Sequence, residues 1–130
     1  MIVLDASAAL EWLLRTPSGI KIDVRLFSRS ISLHAPHLLD LEVAQVLRRY
    51  VREKAITAQR AEKALTDFND LPLNRYPHDL LIPRVWGLRD TLTAYDAVYI
   101  ALAEMLDASL LTCDRKLSLA RNHTATIELM

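Results

Sequence analysis

Glycine is nearly absent from this 130-residue chain: Gly19 and Gly87 stand alone. A backbone cradle for phosphate needs several glycines close together, so P-loop and dinucleotide fingerprints are excluded. Cys113 is the only cysteine, which rules out an internal disulfide framework and any CxxC metal or redox site, and suits a reducing compartment. Neither sign of charge is in excess. The 16 Lys and Arg match 16 Asp and Glu, so the molecule as a whole has no basic field to draw nucleic acid from a distance. Any role on RNA or DNA has to rest on a local site. No uncharged stretch approaches the ~18 residues of a membrane span, and the start Met1-Ile2-Val3-Leu4-Asp5 lacks the basic region of a signal peptide. What remains, with 52% apolar and 25% charged residues, is the expectation of one soluble, intracellular (cytoplasmic) domain over residues 1–130. At that size it can bury its own core.

What is present alternates in type. Ile2-Val3-Leu4 is a short apolar run suited to a strand buried on both faces, and the strong helix formers of 6–15 follow it. After the break at Thr16-Pro17-Ser18-Gly19, the spacing of Ile20, Val24 and Phe27 predicts a second helix. Ile31-Ser32-Leu33 reads as a strand closed by Ala35-Pro36. Leu39, Val43, Val46, Leu47, Tyr50 and Val51 mark the clearest helical face. Arg48, Arg49, Arg52 and Lys54 lie toward that helix's carboxyl end, where cations suit the macrodipole. Thr57 caps a further helix through Phe68 with Ala61, Leu65 and Phe68 as its stripe. Strands are expected near 73–76, 109–113 and 125–129, and helices at 78–88, 93–106 and 116–120. This alternation predicts an α/β sandwich around a mostly parallel sheet, a fold whose sites form outside the carboxyl ends of the strands.

Asp5 and Asp114 stand at that edge, directly after the two most apolar strands. Glu42 lies at the border of the apolar helix face, three residues after Leu39 and four before Val46, and Asp96 sits in the first turn of the helix begun by Thr93. Each has a purely structural alternative: Asp5, Asp96 and Asp114 as helix-start carboxylates, and Glu42 as a side chain reaching outward. Four such positions coincide at one sheet edge, however. Two carboxylates ~5 Å apart repel by roughly 3 kcal/mol at an effective dielectric of about 20, so a cluster of four needs a cation to remain ionised. All-oxygen ligation favours Mg²⁺ or Mn²⁺ over zinc, and such ions activate water and engage phosphate oxygens. Hydrolysis of a phosphodiester is the chemistry that follows. An aspartate phosphatase would carry a second acid two residues after the first, where this chain has Ser7.

Three stretches, IVLDASAAL at 2–10, APHLLDLEVAQVLRR at 35–49 and LTAYDAVYIALAEMLDASLLTCDRKL at 92–117, occur in an order that resembles PIN-domain ribonucleases. More narrowly they resemble VapC-type toxins of type II toxin–antitoxin pairs. The likeness spans nearly the whole chain, including Tyr76-Pro77-His78. It implies a PIN-like α/β/α sandwich, and it places the family's metal-binding acids on Asp5, Glu42, Asp96 and Asp114, with Ser7 and Thr112 as supporting hydroxyls. It also implies Mg²⁺-dependent endonucleolytic cleavage of RNA by a metal-activated water (Mn²⁺ as a possible substitute), a homodimer, and inhibition by a cognate antitoxin. A catalytically weak module that acts by binding its antitoxin and RNA is the alternative. Where some relatives carry one more acid two residues past the last aspartate, this chain has Lys116. Arg115 and Lys116 are candidate phosphate contacts, with plain surface charge as the alternative. Asp40 reads as a first-turn helix acid. His34 and His37, separated by Ala35-Pro36, read as loop residues; His78 and His123 stand alone. Trp12 and Trp86 read as core or interface residues, and Cys113 as a buried small hydrophobe. Setting the four acids aside leaves 16 basic against 12 acidic residues, so overall neutrality excludes only a non-specific attraction to nucleic acid.

Overall fold

The central sheet begins with β1 (Ile2–Leu4), three apolar residues with no polar face to offer solvent and all buried in the computed structural model, which describes residues 1–130. β2 (Leu33–Pro36), β3 (Leu73–Tyr76), β4 (Ser109–Thr112) and β5 (Ile127–Leu129) join it in the order β3-β2-β1-β4-β5, and every neighbouring pair is parallel. The expected mostly parallel sheet is therefore wholly parallel. From β1 the chain first builds outward to β2 and β3, then returns to place β4 on the other side of β1. The direction of winding reverses between β1 and β4, and at such a switch point an α/β sheet leaves a crevice at its carboxyl edge. The pairing of Leu4 with Leu111 brings the two strand ends level.

Seven helices cover the sheet and complete the α/β/α arrangement. α1 (Ala6–Leu13), α2 (Pro17–Phe27), α3 (Leu38–Arg52) and α4 (Ala58–Asp70) pack on one another, and α5 (Ile82–Gly87) packs on α6 (Ala94–Leu106); α7 (Arg115–Ser118) is a single turn after β4. Their starts are chemically specified. The carboxylate of Asp5 accepts from the Ala8 N–H (2.9 Å), Thr16 Oγ1 from Gly19 N–H (3.0 Å), Thr57 Oγ1 from Arg60 N–H (3.0 Å) and Thr93 Oγ1 from Asp96 N–H (3.2 Å). α3 lacks a side chain of its own for this purpose. His78, 40 residues away, accepts from Leu38 N–H at 2.9 Å, so a histidine that seemed isolated in sequence satisfies a helix terminus. The buried apolar side chains form one continuous cluster. No helix is long and apolar enough to cross a membrane.

Several local expectations are corrected. β2 comprises Leu33–Pro36 rather than 31–33, because parallel pairing with β3 extends through Ala35 and Pro36. His34 is thereby a buried strand residue, held by Tyr76 Oη at 2.7 Å and Ser32 Oγ at 2.8 Å, not a loop residue. The stripe Ile20, Val24 and Phe27 does lie on a helix, yet all three are exposed; α2 packs through Gly19, Ile22 and Leu26 instead. On α4, Ala64 is buried where Leu65 was expected. The 78–88 helix is a 3₁₀ turn, Asp79–Leu81, followed by α5, and the last strand is shorter than 125–129. Trp86 is exposed. Two other readings hold: Trp12 packs against the core and donates its indole N–H to Asp23 at 2.8 Å, and Asp40 is a first-turn acid of α3, where it pairs with Arg75 at 2.8 Å.

Gly19 shows why one of the two glycines stands where it does. A Cβ on it would lie 1.9 Å from the Glu11 carbonyl oxygen of α1, so the two helices meet backbone to backbone. Gly19→Ala is expected to cost about 1–3 kcal/mol through overpacking, or roughly 5–15 °C of Tm, as measured by thermal denaturation. Gly87→Ala, whose Cβ would meet nothing closer than an Arg84 nitrogen at 3.6 Å, is expected to leave Tm within about 3 °C.

Candidate active site

At the switch point the chain bends sharply out of both central strands, and the bend is held by one buried hydroxyl–carboxylate network. Asp5, only 5% exposed, follows β1 and accepts from the Ser7 hydroxyl (2.7 Å), the Thr112 hydroxyl and the Ala8 N–H. Ser7 lies 3.2 Å from Thr112 Oγ1 and accepts from Cys113 N–H at 2.9 Å, while Thr112 Oγ1 accepts from Asp114 N–H at 2.9 Å. Ser7 and Thr112 thus join the end of β1, the start of α1 and the end of β4. Asp114 in turn starts α7, accepting from Lys116 N–H at 2.8 Å. The capping and the site-building readings of these aspartates are not exclusive, because one oxygen serves a backbone amide while the residue lines the crevice.

Two acids reach the same crevice from helices. Glu42 projects from α3, and its Oε1 accepts from the Tyr99 hydroxyl at 2.5 Å. Asp96 lies in the first turn of α6. Asp5, Glu42, Asp96 and Asp114 all line one cleft of about 330 Å³, with Ser7, Tyr99 and Cys113 also in its wall. Asp96 borders a second groove as well, shared with Lys116 and Arg121. Cys113 is half-buried at the cleft rather than fully enclosed, and loss of solvent pushes its thiol up to about 11.

Electrostatics separates these acids from others in the chain. Burial raises Asp5, Glu42 and Asp96 above the usual carboxylate range. Mutual charge adds to it: Asp114 acts on Asp5 and on Asp96, and Asp96 and Asp5 act on Glu42. Hydrogen bonds from Ala8 N–H, Thr112, Ser7 and Tyr99, and the charge of Lys116 near Asp96, offset only part of this. Tyr99 is itself raised, by burial first and then by its bond to Glu42, so it stays a donor. By contrast Glu104 and Glu128 are held below the usual range by bidentate pairing with Arg84 and Arg25.

The donor set suits a hard divalent cation: four carboxylates, no thiolate or imidazole among them, and unrelieved repulsion that a 2+ charge would cancel. As the side chains stand, no three of them form a group arranged to hold a metal ion. The physical reason is visible in their partners. Asp5 is turned to Ser7, Thr112 and Ala8, Glu42 to Tyr99, and Asp114 to Lys116 N–H.

The structure collects all four candidate acids and both supporting hydroxyls, and it separates the two candidate phosphate contacts. Lys116 borders the second groove; Arg115 is exposed and lines neither groove. Four further polar or aromatic residues of the cleft wall, Glu11, Tyr99, Arg49 and Tyr50, were not singled out as functional from sequence. Tyr99 was marked only by its place one helical turn after Asp96, and Tyr50 only as part of the apolar face of α3.

A parallel sheet in the order 3-2-1-4-5 with carboxylates at its β1/β4 switch point is the architecture of a PIN domain. A family model described as PIN domain matches residues 2–122, and the chain belongs to that family, as one of its VapC-type members. It is 41% identical over 130 residues to Ribonuclease VapC12 of Mycobacterium tuberculosis, a match covering 100% of this chain and 99% of that protein. It is 42% identical over 129 residues to Ribonuclease VapC1 of the same organism, covering 98% and 96%. Among solved structures, PAE2754 from Pyrobaculum aerophilum superposes with a TM-score of 0.71 at 23% identity, covering 97% of this chain and 81% of that one. VapBC2 from Rickettsia felis, bound to a DNA fragment from their promoter, gives 0.72 at 14% identity, covering 99% and 98%. At these identities the structural likeness speaks for the fold.

Raised carboxylates bind protons more tightly in the folded than in the unfolded chain, so their contribution to stability is greatest at low pH and declines as pH rises through their folded-state values. Asp96→Asn removes one of the repelling charges. In a metal-free buffer at pH 7 its Tm is expected to exceed the parent's by about 3–6 °C, for a gain on the order of 1 kcal/mol. Near pH 4 the gap should shrink, as differential scanning fluorimetry across pH will show. Added Mg²⁺ should raise the Tm of the parent more than that of the variant.

Proposed function

We propose that this chain is a metal-dependent endoribonuclease and the toxin half of a type II toxin–antitoxin pair, with Asp5, Glu42, Asp96 and Asp114 as its metal-binding and catalytic acids. The observation that carries the reading is the convergence of these four acids, from four different elements, on one cleft at the switch point. Full-length relatives named as VapC ribonucleases support the same activity. The similar folds of VapBC2 and FitAB, each bound to a DNA fragment, support an antitoxin as partner. Magnesium is the proposed ion, with manganese able to replace it, because every donor is a carboxylate oxygen. When bound, such an ion neutralises the acids, lowers the pKa of water and polarises a phosphate oxygen.

The chain's own residues supply the positioning. Asp5 is fixed in place by Ser7, Thr112 and Ala8, so its carboxylate does not swing with solvent. Tyr99 holds Oε1 of Glu42 and sets its direction into the cleft. Lys116, close enough to Asp96 to ease its charge, stands where an incoming phosphate also needs a cation. The net reaction is addition of water across the phosphodiester, leaving a 5′-phosphate and a 3′-hydroxyl. We assign this action on RNA to the cytoplasm and to a single PIN domain over residues 1–130. We place a homodimer contact at Leu80, Ile82, Trp86 and Tyr95, large apolar side chains left exposed on and around α5 and α6.

Asp5→Asn and Asp96→Asn, purified without antitoxin, are expected to lose Mg²⁺-dependent cleavage of total RNA by about a hundredfold or more while keeping the parent's circular dichroism. Asparagine can still cap α1, so a loss of fold is not expected from Asp5→Asn. Cleavage by both variants at the parental rate sinks the site assignment. Tight antitoxin binding by a parent with no metal-dependent turnover would make the chain a binding module. Light scattering at micromolar concentration checks the dimer; a monomer counts against it.

A further inference from the structure

α3 carries more into the cleft than Glu42. Glu42, Val46 and Tyr50 stand four residues apart on one helical face, each half-buried, and with Arg49 they line the same cleft. From Glu42 the helix rises about 11 Å to Arg49 and Tyr50, the span of roughly three stacked bases at about 3.4 Å each. At that far end α3 presents a cation over one face of an aromatic ring, the Arg49 guanidinium carbon 5.5 Å from the Tyr50 ring centroid. Neither group is committed elsewhere. Arg49 meets Glu53 only at 4.0 Å, with both side chains more than half exposed, and the Tyr50 hydroxyl has no hydrogen-bond partner among the side-chain bonds of the structure. Glu11, the acid of the facing wall, is engaged by the Thr16 hydroxyl.

A second groove, lined by Lys116 and Arg121, adjoins the cleft at Asp96, which borders both. Positive charge is thus available both in the cleft, at Arg49, and in the adjoining groove, and the cation in the cleft is accompanied by a planar ring. The geometry points to a single RNA strand laid across the acids from the Lys116–Arg121 groove to Arg49 and Tyr50. Arg49 holds a phosphate and Tyr50 stacks on a base a few nucleotides from the cut. The inference rests on the ribonuclease reading for its substrate class and adds the path of the strand and the residues that set preference on one side of the scissile bond. An aromatic platform favours unpaired nucleotides, whose faces are free to stack, so the strand at this flank is single-stranded or splayed out of a helix.

The test uses the full chain in the Asp96→Asn background with Mg²⁺, which removes turnover, and a short fluorescein-labelled oligoribonucleotide of mixed sequence as the probe. By fluorescence anisotropy, Tyr50→Ala is expected to weaken binding about tenfold with the salt dependence unchanged, and Tyr50→Phe to restore it. Arg49→Gln is expected to lower the slope of log Kd against log salt by about 0.7, one phosphate contact to a single strand, and Lys116→Gln to lower it by the same amount. In the otherwise parental chain Tyr50→Ala should raise KM about tenfold and leave kcat within about twofold, a split that a merely structural role would not produce. Parental binding by both Tyr50→Ala and Arg49→Gln overturns the inference. So does loss of antitoxin binding in these variants while RNA binding stays intact, which would assign the α3 flank to the protein partner. If the parent binds the probe at this flank and cuts no RNA, the ribonuclease reading fails while the strand path stands.

Discussion

The crevice depends on how a buried carboxylate is satisfied. Asp5 would be a costly group to leave alone at the end of a fully apolar strand, and the chain surrounds it with a backbone amide of α1 and two hydroxyls, one of them brought from β4. These bonds make Asp5 the pin that joins β1, α1 and β4 at the one place where the sheet reverses its winding. They also hold Thr112 so that its oxygen receives the Asp114 N–H and starts the next turn. The edge where the four candidate acids gather is therefore the edge this network ties together.

Around that pin the chain keeps two electrostatic regimes. Away from the cleft, several acids are paired with arginines: Glu128 of β5 with Arg25 of α2, Glu104 of α6 with Arg84 of α5, and Asp40 with Arg75. For Glu104 and Glu128 this pairing adds stability above the ordinary carboxylate range that is lost as pH falls. Inside the cleft the acids lie close enough to raise one another, and ionisation costs stability there. A neutral protein can thus hold a strongly anionic pocket, because its opposing charges are spent elsewhere. A bound cation would offset that charge, and Lys116, Arg121 and Arg49 add positive charge along the two grooves.

The legibility of the chain follows from the range of each interaction. Buried parallel strands read as unbroken apolar runs, and threonine caps announce helices from within one turn, so β1, β4, α4 and α6 were found nearly to the residue. The four acids were legible because they occupy strand ends, a helix border and a first turn. Register was less so: β2 was placed two residues early because its end is set by β3, 40 residues on. Which face of α2 packs was hidden for a like reason. The stripe of larger residues points outward, and the helix turns its glycine side to α1, where only backbone fits.

By itself the sequence determined the elements, the caps and the chemical character of the site, since these rest on side-chain size, burial and contacts a few residues apart. Tertiary structure decided who stands next to whom. Positions 5, 42, 96 and 114 meet only because β4 pairs with β1 and α3 lies close enough to α6 for Tyr99 to reach Glu42. The same packing turned Arg115 away, left Lys116 and Arg121 beside Asp96, and laid Arg49 and Tyr50 along the cleft. No local pattern carries that information, because such neighbours are chosen by the burial of whole faces and not by spacing along the chain.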